Sequence, residues 1–427
     1  MAAEKPLKSL ELKLADIHND PRGSKAFILA DAKDADMAFG IAAPGRSPEH
    51  ADGGFRSLAD YRDHIRRNTR QGLLDIMLMS VSSNEVLTIR ERLFDASPVT
   101  PAIRANDTTD IHVARGGSYP KEPARPFRTA LLDHAQCGAL GCDDSQRHLG
   151  ANLGLFSMTF NNDVAHDKAM LEAYRDFRVE AEQKGFRHFL EIFPPNAPIN
   201  DLPPGGLGRF LNDMIVRALA GVPQRARPLF LKMVYTGPDE MEELVNYDPH
   251  LVPGILGGSA GTTCDAFTLL AEAKAHGARA ALFGRKINNA EDQLVFIQFL
   301  RWIADGEVGP EQAVRAYHGA LQAMGLRPHR PLADDLKITD TALSYGGSGA
   351  TISVPKRTGA PSTPRTQPRG VRAGADGRPA KPQAARTASA SGNGAYPIRP
   401  DGLPDFARMT PQQRLAYHKD RLDKSIG

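Results

Sequence analysis

Lys232 is the residue whose type and surroundings most clearly indicate chemistry. It lies within the apolar run Leu229-Phe-Leu-Lys-Met-Val-Tyr. A lysine on a buried strand must be paired, lose its proton or serve a function, because burial disfavours the charged ammonium. The neutral amine is a nucleophile that attacks carbonyl carbons. We therefore predict Lys232 to be a covalent nucleophile; the alternative is a strand-end lysine that faces solvent or pairs with a carboxylate.

Two glycine-containing turns follow Lys232, each directly after another apolar run. Their residues of interest are Gly257, Gly258, Ser259, Gly284 and Arg285. In (β/α)8 barrels, phosphate groups bind where the backbone N–H groups of the loops after strands seven and eight converge. An arginine at this place adds a charged donor. The two turns therefore predict a phosphate site, although glycine also serves ordinary tight turns.

Eight short apolar runs, which alternate with helical patterns, must position these residues. We predict strands at Ala26–Ala30, Asp75–Val81, Thr100–Ala105, Leu153–Phe160, His188–Phe193, Leu229–Tyr235, Val252–Leu256 and Ala278–Phe283. Helical spacing is found at Leu58–Gln71, Asn84–Phe94, Ala165–Lys184, Leu207–Ala220, Asp239–Tyr247, Cys264–His276, Ala290–Ala304 and Pro310–Ala323. This alternation indicates a parallel sheet. Eight repeats without a G-x-G-x-x-G fingerprint favour the α/β class with a closed (β/α)8 TIM barrel over an open dinucleotide-binding sheet.

Three of these segments also resemble a known family. They are Leu-Lys-Met-Val-Tyr, Gly-Ile-Leu-Gly-Gly-Ser and Ala-Leu-Phe-Gly-Arg-Lys-Ile, within Pro228–Trp302. The segments are similar to the class I (Schiff-base) aldolases, which include the archaeal-type fructose-bisphosphate, deoxyribose-phosphate and tagatose-bisphosphate aldolases. The resemblance implies a carbon–carbon lyase in which Lys232 forms an imine with a phosphorylated sugar or keto substrate, without a cofactor or metal. The residues that would hold the phosphate are Gly257, Gly258, Gly284 and Arg285.

The resemblance also implies an aspartate at the end of the first strand. The run Phe27-Ile-Leu-Ala-Asp provides Asp31, and Asp34 and Asp36 are rivals in the same loop. Glu191 lies in the fifth predicted strand, as in the tagatose-type branch, where it would tune the lysine or accept a proton. A structural pair of Glu191 with an arginine is the alternative. We assign catalytic roles to Asp31 and Glu191 beside the lysine.

Polar residues at the ends of the third and fourth strands complete the predicted site. The third strand ends in a polar cluster from which we select Arg104 and Asp107 for a polyol or a second phosphate. Family members often carry a tyrosine on the fourth strand, and the segment 154–163 has none. We therefore expect Asn161 to line the site, with Asn162 and Asp163 as alternatives.

Charge and composition divide the chain into three parts. The net charge is +8 over residues 355–400 and +1 over residues 401–427. Because the whole chain has a net charge of +3, residues 1–354 have a net charge of −6. We predict a barrel over 1–345, a disordered Pro/Ala/Gly/Arg-rich linker over 346–403, and a short amphipathic docking helix over 404–427 that begins with a capping box at Thr410 and Gln413. An acidic barrel argues against nucleic acid as its ligand.

The remaining expectations concern location, partners and alternatives. Three cysteines and no long apolar run predict a cytoplasmic protein without membrane attachment, and we expect a homo-oligomer. The first alternative function is a non-catalytic barrel that binds a phosphate ligand while its tail recruits a partner. The second is a metal-dependent aldolase that uses His112, His134 and His188. The spacing of His134, Cys137, Cys142 and His148 is also compatible with structural zinc.

Overall fold

Eight parallel strands close into a barrel. The computed structural model describes residues 7–47, 54–111, 117–118, 121–197, 200–202, 206–258 and 261–339, and residues 397, 408, 410 and 413. The barrel strands are β1 (Ile28–Lys33), β2 (Ile76–Met79), β3 (Thr100–Arg104), β4 (Leu153–Thr159), β5 (Arg187–Phe193), β6 (Leu231–Met233), β7 (Gly254–Gly257) and β8 (Ala280–Phe283). Pairing of β1 with β8, with Ile28 opposite Ala280, closes the circle. The predicted (β/α)8 barrel is confirmed, and every predicted strand overlaps an observed one.

Helices connect the strands. The long ones are Ser9–Asn19, Leu58–Gln71, Val164–Gln183, Gly206–Ala220, Pro238–Tyr247, Thr263–Ala275, Gln293–Asp305 and Pro310–Ala323. The short helical segments are Asp36–Phe39, Gly40–Ala42, Val81–Asn84, Leu132–Cys137, Gln224–Ala226, Arg285–Asn288 and Leu332–Asp335. The helix predicted at Asn84–Phe94 is instead a short α-helical turn that continues into a π-helix, Glu85–Arg90. Within the described ranges, no helix is long and apolar enough to cross a membrane.

The helix Ser9–Asn19, which the sequence reading did not include, closes the N-terminal end of the barrel. Its buried side chains Leu10, Leu14 and Ile17 share one cluster with inward-facing strand residues. Two of these are Phe189 and Phe230, whose rings stack with centroids 4.6 Å apart. Complete burial of each aliphatic side chain contributes about 1.5–3 kcal/mol. The lower half of the barrel interior is therefore a packed apolar core, which leaves the opposite end for polar groups.

The connection between β3 and β4 contains two short elements of its own. Asp107–Thr108 pairs in antiparallel fashion with Pro126–Phe127, and the helix Leu132–Cys137 follows. Residues 112–116 and 119–120 lie outside the described part. The described part of this connection thus contains a short antiparallel pair and a helix.

The linker and the docking helix of the C-terminal region stay predictions. The expected linker at 346–403 lies outside the described residues apart from Pro397, and the expected docking helix has three described residues. Two of them form the predicted capping box: Thr410 N–H donates to Gln413 Oε1 at 2.9 Å, and Gln413 N–H donates to Thr410 Oγ1 at 3.3 Å.

Candidate active site

Lys232 lies inside the barrel, in the middle of β6. Its neighbour two residues earlier, Phe230, belongs to the interior cluster. Side chains two residues apart on a strand point to the same face, so Lys232 also faces the interior. Only 7% of the lysine is exposed, and it lines a cavity together with Leu256 of β7 and Leu282 of β8.

A row of three polar side chains crosses β4, β5 and β6. Ser157 lies opposite Glu191 in the strand register, and Glu191 lies opposite Lys232. The Lys232 Nζ atom is 2.5 Å from Glu191 Oε1, and the Ser157 hydroxyl donates to Glu191 Oε2 at 2.7 Å. Glu191 is 1% exposed. A proton that leaves the lysine therefore has a carboxylate acceptor in direct contact, and the serine holds that carboxylate in place.

Ser157 was missed by the sequence reading. Its signal was present, because Leu153 and Leu155 are apolar inward-facing residues of the same strand and residue 157 continues their alternation. The structure shows how the serine is fixed: the backbone of Ser157 exchanges two hydrogen bonds with the Asn106 side chain, at 2.7 and 2.9 Å. Asn106, just after β3, thus ties the third and fourth strands together beneath the site.

Arg104 ends β3 and points into the cavity, where it contacts two carboxylates. Its Nη2 atom is 2.9 Å from Asp110 Oδ2, and its Nη1 atom is 3.4 Å from Asp34 Oδ2. All three side chains are buried. Since Arg104 is already engaged by two negative charges, its geometry suits positioning of Asp34 better than binding of a further anion.

Asp31, predicted for the site, lies on the outer face of β1. Its carboxylate accepts from Asn68 Nδ2 at 2.8 Å and is 3.3 Å from Lys33 Nζ. Burial raises the pKa of Asp31 and lowers that of Lys33. The structure therefore does not bring Asp31 to the lysine of β6. Its rival Asp34 lines the cavity instead, and Asp36 accepts a hydrogen bond from Ser80 at 2.7 Å.

The two glycine turns reach the cavity as expected from their place after β7 and β8. Gly257 and Gly284 both line it. A Cβ atom on Gly257 would lie 2.1 Å from the Phe283 ring, and one on Gly284 would lie 2.9 Å from the Ala32 carbonyl oxygen. Strand packing alone thus requires both glycines. Gly258 is buried beside them, and Ser259 lies outside the described residues.

Arg285 and Phe39 lie together at the mouth of the cavity. Both residues line it, and the guanidinium carbon is 5.0 Å from the centre of the phenyl ring. Ala35 and Ala38 complete this wall. The cavity has a volume of about 50 Å³, which is small beside the 300–1,000 Å³ typical of ligand pockets. The segment after β1 therefore narrows the space above the lysine.

Two further predicted residues hold loops in place. Asp107 accepts hydrogen bonds from the backbone N–H and the hydroxyl of Thr129, both at 2.7 Å. Asn161 accepts from the backbone N–H of Asn196 at 3.2 Å, which joins the loops after β4 and β5. Asp163 caps the helix Val164–Gln183. The structure thus gives these side chains structural contacts around the mouth of the barrel.

Two of the histidines proposed as alternative metal ligands, His134 and His188, lie in separate elements. Among the described residues, no three histidine, cysteine, aspartate or glutamate side chains come together as a metal site would require. The buried ring of His188 contacts the Tyr174 hydroxyl, with Nε2 and the oxygen 2.9 Å apart. His134 lies in the separate short helix Leu132–Cys137, and His112 lies outside the described residues.

Comparison with known proteins gives matches in structure only. No family model and no curated protein matches the sequence. The fructose-bisphosphate aldolase from Slackia heliotrinireducens has a TM-score of 0.50 and 14% identity, over 75% of this chain and 95% of that one. An archaeal fructose-1,6-bisphosphate aldolase, solved with its catalytic lysine bound to the carbinolamine intermediate, has a TM-score of 0.49 and 16% identity, over 69% and 100% of the two chains. The likeness to the Slackia enzyme shows that this chain shares its (β/α)8 barrel fold.

Proposed function

We propose that the protein is a class I aldolase-type lyase in which Lys232 forms an imine with a phosphorylated sugar or keto substrate. The observation that carries this proposal is the place of Lys232: inside the barrel, nearly buried, and lining one cavity with the two glycine turns. The Glu191 carboxylate at 2.5 Å supplies a base. The aldolase-type fold supports the lyase class.

The proposed reaction begins when Glu191 takes a proton from the Lys232 ammonium. The neutral amine attacks the substrate carbonyl carbon, and loss of water leaves a protonated imine. The imine then accepts the electron pair of the carbon–carbon bond that breaks, while the hydroxyl on the other carbon gives up its proton and that fragment leaves as an aldehyde. Protonation of the remaining enamine carbon and hydrolysis of the imine release the second product and the free lysine. Asp34, which faces the cavity, is our candidate acceptor for this second proton in place of Asp31.

The phosphate of the substrate would bind at the turns after β7 and β8. Gly257, Gly258 and Gly284 lack side chains that would obstruct close approach to the backbone N–H groups, and Arg285 adds charge. We assign Arg104 to positioning of Asp34, because its guanidinium already contacts Asp34 and Asp110.

Substrate entry requires the mouth to widen. A volume of about 50 Å³ has room for the reacting carbonyl group and for little else of a sugar phosphate. Because Phe39 and its neighbours form one wall, we expect the segment Asp36–Phe39 to move away from Arg285 when ligand binds. Arg285 would then exchange its contact with the Phe39 ring for the phosphate.

Cleavage of a panel of ketose phosphates by the full-length protein tests the proposal. We expect turnover with at least one compound, a loss of about 10⁴-fold or more in Lys232→Ala, and no loss in Lys168→Ala. The control removes a surface lysine that pairs with Glu172 on the helix Val164–Gln183. Binding without turnover that is unchanged in Lys232→Ala would refute the lyase and favour the non-catalytic phosphate-binding barrel.

The C-terminal tail has a separate proposed role. We retain the hypothesis that residues 404–427 dock to a partner protein through a linker at 346–403. Deletion of 355–427 should leave turnover intact and abolish co-localisation with that partner. Lost turnover would contradict this division of the chain. The homo-oligomer and the cytoplasmic location stay predictions as well.

A further inference from the structure

A second and larger cavity lies at the N-terminal face of the barrel, where β5, β6 and β7 begin. Its volume is about 670 Å³. Four arginines line it: Arg178, Arg187, Arg225 and Arg227. The acidic side chains along its wall are Glu182 and Asp248, and Glu11 pairs with Arg187 at 2.7 Å, so four arginines face three carboxylates. This local excess of positive charge contrasts with the −6 of residues 1–354.

Arg178 is the strongest sign that the cavity binds an anion. Its guanidinium carbon lies 5.0 Å from the centre of the Tyr174 ring. No carboxylate of the described part lies within ion-pair distance of it, whereas Arg175 and Arg225 each have one. Its charge is therefore available to an oxyanion in the cavity that it lines.

Two other arginines form pairs that a ligand is able to replace. Arg225 Nε is 2.9 Å from Glu182 Oε1, and Arg227 Nη1 is 2.9 Å from Asp248 Oδ2. The Arg225 side chain is 79% exposed. Exposed ion pairs contribute only about 0–1 kcal/mol, so exchange of the carboxylate for a ligand oxyanion has a small cost.

A pair of histidines and an apolar floor complete the cavity. The Nδ1 atoms of His18 and His250 are 3.2 Å apart, and both rings line the wall. When both rings are neutral, one Nδ1–H donates to the other Nδ1, and the ring that accepts offers its Nε2–H to a ligand. Phe186, Leu229 and Leu251 lie along the same wall, where they provide contacts for the carbon skeleton of a ligand.

We propose that this cavity is a binding site for a small organic anion with at least two phosphate or carboxylate groups. Its volume falls within the range of about 300–1,000 Å³ that holds metabolites. The site lies at the opposite ends of the strands from the cavity with Lys232 and does not depend on the proposed lyase activity.

Calorimetric titration of the full-length protein with pyrophosphate, at constant ionic strength, tests the site. Arg178→Gln should weaken binding by about tenfold, the loss of a charged hydrogen bond. Arg175→Gln should weaken it by less than about twofold, because this control residue lies on the same helix and pairs with Asp176 at the surface. A parallel titration with propane-1,2,3-tricarboxylate distinguishes phosphate from carboxylate ligands, and binding of either that Arg178→Gln weakens supports the site.

Two further variants keep the test decisive. Arg225→Gln, at a position where the side chain is 79% exposed, should weaken binding as well. Arg285→Gln removes the charge at the mouth of the barrel, so the binding that remains in this variant is assigned to the N-terminal face. Absence of binding by both compounds overturns the proposal. So does binding that survives Arg178→Gln and Arg225→Gln, or binding that is lost in Arg285→Gln alone.

Discussion

Replacement of Glu191 by glutamine tests whether the lysine lies in a dry, charged cavity. The amide has nearly the shape of the carboxylate and still accepts the hydrogen bond that Ser157 donates at 2.7 Å. The change therefore removes the negative charge beside Lys232 and little else. Since the two side chains are 1% and 9% exposed, the small cavity that they line admits too little water to solvate the ammonium fully.

The expected loss of unfolding free energy depends on how Lys232 responds. It either stays charged without its partner or releases its proton. An ammonium left without its buried partner costs about 3–5 kcal/mol. Release of a proton from an ordinary lysine costs about 4.6 kcal/mol at pH 7 and about 1.9 kcal/mol at pH 9, which sets an upper limit on the penalty. Glu191→Gln should therefore lower the free energy of unfolding by about 3–4.6 kcal/mol at pH 7, and by at most about 1.9 kcal/mol at pH 9.

Urea unfolding at both pH values measures this difference. Glu172→Gln is the matched control, because Glu172 pairs with Lys168 at 2.8 Å but both side chains are exposed. The control should cost less than about 1 kcal/mol at either pH. A loss in Glu191→Gln that equals the control, or that does not shrink at pH 9, would refute the buried pair.

Three further predictions concern other parts of the barrel. Asp34→Asn should lower kcat/KM by about 10²–10⁴-fold, whereas Asp31→Asn should mainly lower the free energy of unfolding, by about 3–5 kcal/mol. A large loss of kcat/KM in Asp31→Asn, with a loss of stability to urea but not of activity in Asp34→Asn, would contradict the structure. Burial lowers the pKa of His188 to about 3, so the neutral ring in the folded state destabilises the protein by about 1.4 kcal/mol per pH unit below about 6.5. Unfolding at pH 7 and 5 should show this loss in the wild type and a smaller loss in His188→Gln, and equal losses would count against it. Phe39→Ala should release Arg285 and lower KM by about two- to fivefold, and a raised KM would argue against a closed mouth.

The fold could be predicted because each barrel strand and most of the helices carry a local signal. Apolar runs of strand length alternate with helical spacing, and the eight strands appear where those runs are. The helix Ser9–Asn19 had a signal too, since Leu10, Leu14 and Ile17 follow helical spacing, but no neighbouring strand indicates that such a helix packs into the end of a barrel. The π-helix Glu85–Arg90 depends on tertiary packing, for which sequence spacing carries no mark.

The site residues that lie on strands were predictable, because side chains alternate between the two faces of a strand. Lys232, Glu191 and Arg104 are polar residues at inward positions of apolar strands, and the structure brings them to one cavity. Asp31 follows Ala30, which faces inward, so the alternation already directed it to the outer face. Asp34, beyond the end of β1, depends on the path of a loop, and its contact with Arg104 joins residues 70 positions apart.

Borohydride trapping with site mapping tests the central claim most directly. The full-length protein is incubated with each of a panel of triose phosphates, ketose phosphates and simple keto acids, reduced, digested and analysed by mass spectrometry. We expect one substrate-derived adduct of defined mass on Lys232, in large excess over all other lysines, and none in Lys232→Ala. Adducts spread evenly over surface lysines such as Lys168, or none with any carbonyl compound, would contradict covalent catalysis by this amine.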